Sequence, residues 1–110
     1  MHTKAKGDLA EERACEYLVS LGCRIIDRNV YNRFGEIDVI AFKSNVLHFV
    51  EVKSGTTYES AVNNITRPKL QKLTRTIQTY LQQKKFNGDY CIDALIVSDK
   101  GIEWIENITL

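Results

Sequence analysis

The apolar positions of the chain repeat at helical spacing in two segments. The first predicts a helix over about residues 7–21, ended by Gly22, and its apolar stripe comprises Ala10, Ala14, Tyr17, Leu18 and Leu21. The second follows Pro68, a residue suited to the first turn of a helix, and runs to about Lys85. Its stripe comprises Leu70, Leu73, Ile77, Tyr80 and Leu81.

Five other segments are rich in β-branched and aromatic residues and predict strands: 23–30, 36–42, 46–53, 90–97 and 102–105. The order of elements is therefore α-β-β-β-α-β-β, which favours an α/β (α+β) fold with helices packed on a mixed sheet. Ser44 and Asn45 form a two-residue turn between the second and third strands. In the register set by this turn, Asp38 faces Glu51 and Glu36 faces Lys53.

Length and composition indicate one globular domain over residues 1–110. With 44% hydrophobic and 26% charged residues, the chain can bury a core, which argues against disorder. Its three cysteines form no short-spaced pair, which argues against a disulfide framework or a structural zinc site. The sequence has neither a membrane-length apolar run nor a signal peptide, so we expect a cytoplasmic protein without a membrane partner.

Three carboxylates and one lysine gather at one end of the predicted hairpin. Because side chains alternate along a strand, Glu36 and Asp38 share a face with Glu51 and Lys53 in this register. Like charges that face each other destabilise a sheet, so the cluster needs more counter-charge than one lysine. A hard divalent cation supplies it, because Mg²⁺ prefers carboxylate oxygens. The alternative is a solvated sheet face on which Glu36 only pairs with Lys53.

Such a cluster has the groups needed for phosphodiester hydrolysis. Mg²⁺ or Mn²⁺ held by Asp38 and Glu51 would activate a water and polarise a phosphoryl oxygen. Lys53 would stabilise the attacking hydroxide or the charge that develops on the phosphate. Glu36 would support the site.

At these residues the sequence resembles a known family. Gly35–Ala41 (GEIDVIA) followed by Phe49–Lys53 (FVEVK) looks like the motif pair of the bacterial YraN family. That family is similar to the PD-(D/E)XK nuclease superfamily, which includes archaeal Holliday junction resolvases. The resemblance covers most of the chain and implies a restriction-endonuclease-like fold.

The resemblance also implies roles for particular residues. Asp38 and Glu51 match metal ligands, and Lys53 matches a catalytic lysine. Glu11 matches an acidic residue that the first helix offers to the site. The residues alone leave an alternative for Glu11, a favourable acid in the first turn of a helix.

Positive charge is concentrated away from the carboxylates. The net charge is only +1, yet the stretch 60–88 contains no acidic residue. Basic residues three apart form a stripe on the second helix, and one arginine lies before the second strand: Lys69, Lys72, Arg75 and Arg33. These residues predict contacts with a phosphate backbone that do not read sequence. The alternative is an ordinary solvated helix face.

The leading hypothesis is a metal-dependent endonuclease that hydrolyses phosphodiesters in branched or single-stranded DNA. The competing hypothesis is a catalytically inactive module of the same fold that binds nucleic acid or a protein. A domain of this size does not cover a four-way junction symmetrically, so a homodimer is expected.

Two further polar residues fall among apolar ones. For Asp93, inside an apolar strand, we expect hydrogen bonds to the backbone or an ion pair with an arginine rather than catalysis. His48 falls on the hairpin face opposite Glu51, and we expect a packed or partly exposed residue rather than a ligand.

Overall fold

A five-stranded sheet and the two helices packed on it position the candidate site. The computed structural model describes residues 2–55, 59, 63 and 65–108. Helix α1 spans His2–Ser20 and helix α2 spans Arg67–Lys84. The strands are β1 (Arg24–Asn32), β2 (Gly35–Lys43), β3 (Val46–Ser54), β4 (Asp89–Ser98) and β5 (Gly101–Ile105). The predicted order α-β-β-β-α-β-β and the mixed sheet are confirmed.

The strands lie side by side in the order in which they follow along the chain. Strands β3 and β4 are parallel, and the other neighbouring pairs are antiparallel. A parallel pair needs a crossover connection, and the segment that contains α2 provides it. Strand β3 therefore lies at the centre of the sheet, between an antiparallel and a parallel neighbour.

The turn between β2 and β3 sets the register of the hairpin. Ser44 and Asn45 have φ angles of 53° and 64°, as a two-residue hairpin turn requires. Backbone pairing then runs from Lys43 and Val46 to Val39 and Val50, in the predicted register.

Local backbone or capping interactions explain one end of each helix. Helix α1 ends at Ser20, and Gly22 shortly after it has a φ of 95°, while the backbone N–H of Cys23 donates to the carbonyl of Leu18. Helix α2 begins after Thr66, whose hydroxyl accepts from the backbone N–H of Lys69. The start of α1 at His2 is earlier than predicted. Among the described residues, no helix combines the length and apolar character needed to cross a membrane.

The helices cover opposite faces of the sheet. Successive side chains of a strand point to opposite faces, and they divide here between two main core clusters. The α1 side contains Ala10, Ala14, Leu18, Val39, Ala41, Val50, Leu95 and Val97. The α2 side contains Ile37, Ile40, Leu47, Phe49, Leu73, Ile77, Tyr80 and Ile92. The part of the β2–β3 hairpin next to its turn thus packs Ile40, Leu47 and Phe49 against α2.

Candidate functional site

The carboxylate site lies where β2 and β3 stop pairing. Their backbone ladder ends at Val39 and Val50, one position before the pair predicted to join Asp38 and Glu51. Asp38 Oδ2 instead accepts a 2.9 Å hydrogen bond from the backbone N–H of Val52. The predicted ladder pair is therefore wrong, because a side chain of β2 occupies an amide of β3.

The alternation of side chains along β2 also breaks at this point. Ile37 packs with the α2 cluster and Val39 with the α1 cluster, although strict alternation would place both on one face. The irregularity places Glu36 and Asp38 beside Glu11 of α1. The prediction of one regular polar face shared with Glu51 is wrong in this respect.

Glu11, Glu36 and Asp38 bring three carboxylates together. One carboxylate oxygen of each lies within 4.8 Å of the others. Helix α1 holds Glu11 there because the adjacent Ala10 and the following turn at Ala14 are buried against the sheet. The alternative of a first-turn helix acid is wrong for Glu11, since α1 begins at His2. We call these three residues the carboxylate cluster.

Burial and mutual repulsion act on Asp38. Its pKa is raised to about 7, first by desolvation and next by the charge of Glu51, with smaller contributions from Glu11 and Glu36. The hydrogen bond from the Val52 N–H acts in the opposite direction. Asp38 therefore changes its protonation state close to neutral pH.

Burial also disfavours the ionised form of Glu11, and one of its oxygens lacks a hydrogen-bond donor in the part of the chain that the structure describes. Desolvation raises the pKa of Glu11, and a hydrogen bond with the Asn29 side chain lowers it. The charge of Glu36 raises it further. Glu11 Oε1 is buried and has no hydrogen-bond partner among the described residues. A buried carboxylate oxygen without a donor is costly, and a cation bound between the carboxylates would satisfy it.

Lys53 pairs with Glu51 rather than with Glu36. Its Nζ lies 3.3 Å from Glu51 Oε1, and both side chains are partly buried. The expected Glu36–Lys53 pair is wrong, because Glu36 and Lys53 are not ladder neighbours once the strands have separated. The ion pair holds the ammonium group beside the carboxylates.

A pocket of about 180 Å³ opens between the sheet and α2 at this point. Glu36, Glu51 and Lys53 line its sheet side. Lys69 and Lys72, two residues of the predicted basic stripe, line its helix side. Two of the carboxylates, Glu36 and Glu51, thus share one pocket with residues of the basic stripe that lie far from them in the sequence.

The other two predicted basic residues meet at Phe34. The guanidinium carbons of Arg33 and Arg75 lie 4.8 Å and 4.7 Å from the centre of the Phe34 ring. Asn32 fastens this turn to α2 by donating a 3.1 Å hydrogen bond to the carbonyl of Thr76. Phe34 lines the pocket, so both arginines contact a residue of its wall.

Comparison with known proteins places the chain in a family. A family model described as "Uncharacterised protein family UPF0102" matches residues 10–97. The chain belongs to the UPF0102 family. The matched range contains the carboxylate cluster, Glu51, Lys53 and all four predicted basic residues. UPF0102 is the YraN family, so the resemblance predicted from GEIDVIA and FVEVK is confirmed.

Full-length relatives support the assignment to UPF0102. A UPF0102 protein of Helicobacter pylori (strain HPAG1) is 53% identical over 106 residues, which cover 96% of this chain and 92% of the relative. UPF0102 proteins of Sulfurimonas denitrificans and Wolinella succinogenes are 52% and 53% identical over 108 residues. These matches cover 98% of this chain and 99% of each relative.

A second cluster of polar side chains in this UPF0102 protein was not predicted from the sequence. Asp93 accepts a backbone hydrogen bond from Asn107, as one of its predicted alternatives requires, but the basic side chain in contact with it is His48 and not an arginine. Cys91 contacts both His48 and Asp93. The parallel register that pairs His48 with Cys91 leaves no local trace in the sequence, so the pattern of strands alone could not reveal it.

Proposed function

We propose that the protein is a metal-dependent nuclease that hydrolyses phosphodiester bonds of DNA at the carboxylate cluster. The observation that carries the proposal is the convergence of Glu11, Glu36 and Asp38, with one carboxylate oxygen of each within 4.8 Å of the others. One oxygen of this cluster, Glu11 Oε1, is buried and lacks a hydrogen-bond partner among the described residues. Adjacent carboxylates in a partly buried site repel one another unless protons or cations intervene. Clustered groups of this kind are typical of functional sites.

The donor set fits a hard divalent cation. Asp38 and Glu51 would hold Mg²⁺ or Mn²⁺, with Glu11 and Glu36 as supporting carboxylates. The charge of Glu51 already acts on Asp38, which supports a role for both residues in holding one ion. When bound, such an ion supplies a water of lowered pKa and polarises a phosphoryl oxygen.

Lys53 would act on the phosphate. Its ammonium group lies 3.3 Å from Glu51 Oε1, beside one of the residues proposed to hold the ion. A positive charge fixed at this position would stabilise the negative charge that develops on the phosphoryl oxygens. The N–H of Val52 meanwhile keeps the Asp38 carboxylate in one orientation.

The substrate class follows from the surroundings of the pocket. Lys72 lines the pocket, and Arg33 and Arg75 pack on Phe34, which also lines it, so a polyanion would meet positive charge close to Glu36 and Glu51. We favour single-stranded or branched DNA as the substrate, in which one strand can approach the pocket alone.

A homodimer is part of this proposal. One site cuts one strand, so symmetric cleavage of a four-way junction requires two sites related by two-fold symmetry. The proposal predicts two copies of the chain on one junction, which sedimentation of the protein–junction complex would measure.

The test is a cleavage panel with Mg²⁺ and with Mn²⁺. The substrates are duplex, single-stranded, flapped and four-way DNA of equal length. We expect metal-dependent cleavage of at least one non-duplex substrate, and loss of that cleavage in Glu51→Gln. Glu103→Gln, an exposed carboxylate on β5, is the matched control and should cleave like the wild type.

The outcomes separate the two hypotheses. Cleavage that survives in Glu51→Gln would overturn the site assignment. Salt-sensitive binding of these DNAs without cleavage, in either metal, would instead support the inactive nucleic-acid-binding module.

A further inference from the structure

A second cluster of possible ligands lies nearer the other end of β3. His48 is the third residue of that strand, whereas Glu51 and Lys53 are near its carboxyl end. The parallel register places His48 beside Cys91 of β4. Asp93 follows Cys91 by two residues and so points to the same face of the sheet. Sheet geometry alone therefore brings an imidazole, a thiol and a carboxylate together.

The three donor atoms are close to the spacing of a metal site. Cys91 Sγ lies 3.1 Å from His48 Nδ1 and 3.1 Å from Asp93 Oδ1. His48 Nδ1 lies 2.6 Å from Asp93 Oδ2. Ligand atoms bound to one zinc ion at 2.0–2.3 Å in tetrahedral geometry lie roughly 3–4 Å apart. Small side-chain adjustments would place a cation between them.

The surroundings supply a fourth donor and an oriented carboxylate. Glu106 Oε1 lies 4.0 Å from His48 Nδ1. Asp93 accepts 2.9 Å hydrogen bonds from Trp104 Nε1 on one oxygen and from the backbone N–H of Asn107 on the other. Partners of this kind fix the orientation of ligands around metal ions.

Charge balance also favours a cation here. Asp93 is fully buried and His48 is nearly so, and the carboxylate is otherwise satisfied by hydrogen bonds. A divalent ion would balance the charges of the Cys91 thiolate and the Asp93 carboxylate, and the thiol proton would be released to solvent. The Glu106 carboxylate as a further ligand would leave one net negative charge, carried by a side chain that is exposed to water. The Nδ1 proton of His48 would move to Nε2, which frees the Nδ1 lone pair.

We propose that His48, Cys91 and Asp93 form a second metal site, which takes a borderline-soft divalent cation such as Zn²⁺, with Glu106 as its fourth ligand. Thiolate and imidazole donors select Zn²⁺ over Mg²⁺, whereas the carboxylate cluster has the opposite preference. The ion would tie β3 and β4 to the segment that follows β5, which already bonds to the sheet through Ile108 N and the Ile92 carbonyl. Its role would be structural.

The test uses the full chain, stripped with a chelator and titrated with Co²⁺ as a spectroscopic substitute for Zn²⁺. We expect one equivalent to produce a thiolate-to-cobalt charge-transfer band and the intense visible bands of tetrahedral Co²⁺. Zn²⁺ should abolish these bands and Mg²⁺ should not. Cys91→Ser should lose the charge-transfer band, whereas Cys15→Ser, which removes another buried thiol, should keep it.

Two further measurements keep the outcome clear. In the wild type, Zn²⁺ should slow the alkylation of Cys91, which mass spectrometry would map. This measurement does not depend on whether Cys91→Ser folds. Glu51→Gln should keep the charge-transfer band, so this inference can stand or fall independently of the nuclease. Absence of the band in folded wild-type protein, or its survival in folded Cys91→Ser, would overturn the proposal.

Discussion

The backbone N–H of Val52 donates a 2.9 Å hydrogen bond to Asp38 Oδ2. This bond joins β2 and β3 through a side chain just past the end of their backbone ladder. A carboxylate anchored in this way cannot turn out to solvent without leaving an amide of the central strand unsatisfied. Asp38 is therefore held in a buried position among like charges, and burial first and the charge of Glu51 next raise its pKa to about 7.

Asp38→Asn should stabilise the metal-free protein in mildly alkaline solution. Asparagine keeps an oxygen that can accept from the Val52 N–H but removes the charge repelled by Glu51. A carboxyl whose pKa is raised on folding binds its proton more tightly in the folded state, so its ionisation lowers stability as the pH rises from about 4 to about 7. We expect a gain of about 1–2 kcal/mol near pH 8.

Urea unfolding in the presence of a chelator measures this effect. The advantage of D38N should shrink as the pH falls toward about 5, because the wild-type carboxyl is then protonated in the folded state. An advantage of equal size at both pH values, or a loss of stability near pH 8, would contradict the electrostatic explanation.

Glu11→Gln should weaken metal binding without removing the main ligands. The substitution takes a negative charge from the carboxylate cluster and replaces a buried oxygen that lacks a partner among the described residues. We expect the affinity for Mn²⁺ to fall about 10-fold, measured by calorimetry. Glu16→Gln, an exposed position on the same helix, is the control and should bind like the wild type. Equal affinities in the two variants would remove Glu11 from the site.

Local patterns predicted much of the fold, and pairing between distant strands explains what they missed. The turn at Ser44 and Asn45 requires positive φ angles and so sets the hairpin register. This register depends on residues close together in the chain. Glu11, in contrast, was assigned to the site by the resemblance to the YraN family and not by residue spacing.

The details of the site depend instead on tertiary contacts. The ladder ends at Val39 because the Asp38 side chain takes the amide of Val52, a bond that no residue spacing indicates. The contact between His48 and Cys91 requires a parallel pairing across 43 residues of sequence separation. Strand propensity specifies neither the partner nor the register of such a pair.

Lys53→Met should lower the cleavage rate while leaving metal binding in place. Methionine keeps much of the apolar length of the side chain and removes the ammonium group paired with Glu51. Loss of one group that stabilises transition-state charge costs about 10²–10³ in turnover. Single-turnover cleavage at saturating Mn²⁺ measures the rate, and Lys100→Met, at an exposed turn, is the control. A rate within about twofold of the wild type would exclude Lys53 from the chemistry.

Lys72→Gln and Arg75→Gln should each weaken DNA binding by a similar factor for every sequence. Lys72 lines the pocket and Arg75 contacts Phe34 of its wall, where each side chain would neutralise one phosphate. The slope of the logarithm of the binding constant against the logarithm of salt concentration should therefore fall in magnitude by about one per substitution. Fluorescence anisotropy with single-stranded DNA in Ca²⁺, chosen to restrict cleavage, gives this slope. Lys100→Gln makes the same charge change at the β4–β5 turn and should leave the slope unchanged. An equal reduction of the slope in all three variants would show that the net charge of the protein, and not this surface, governs binding.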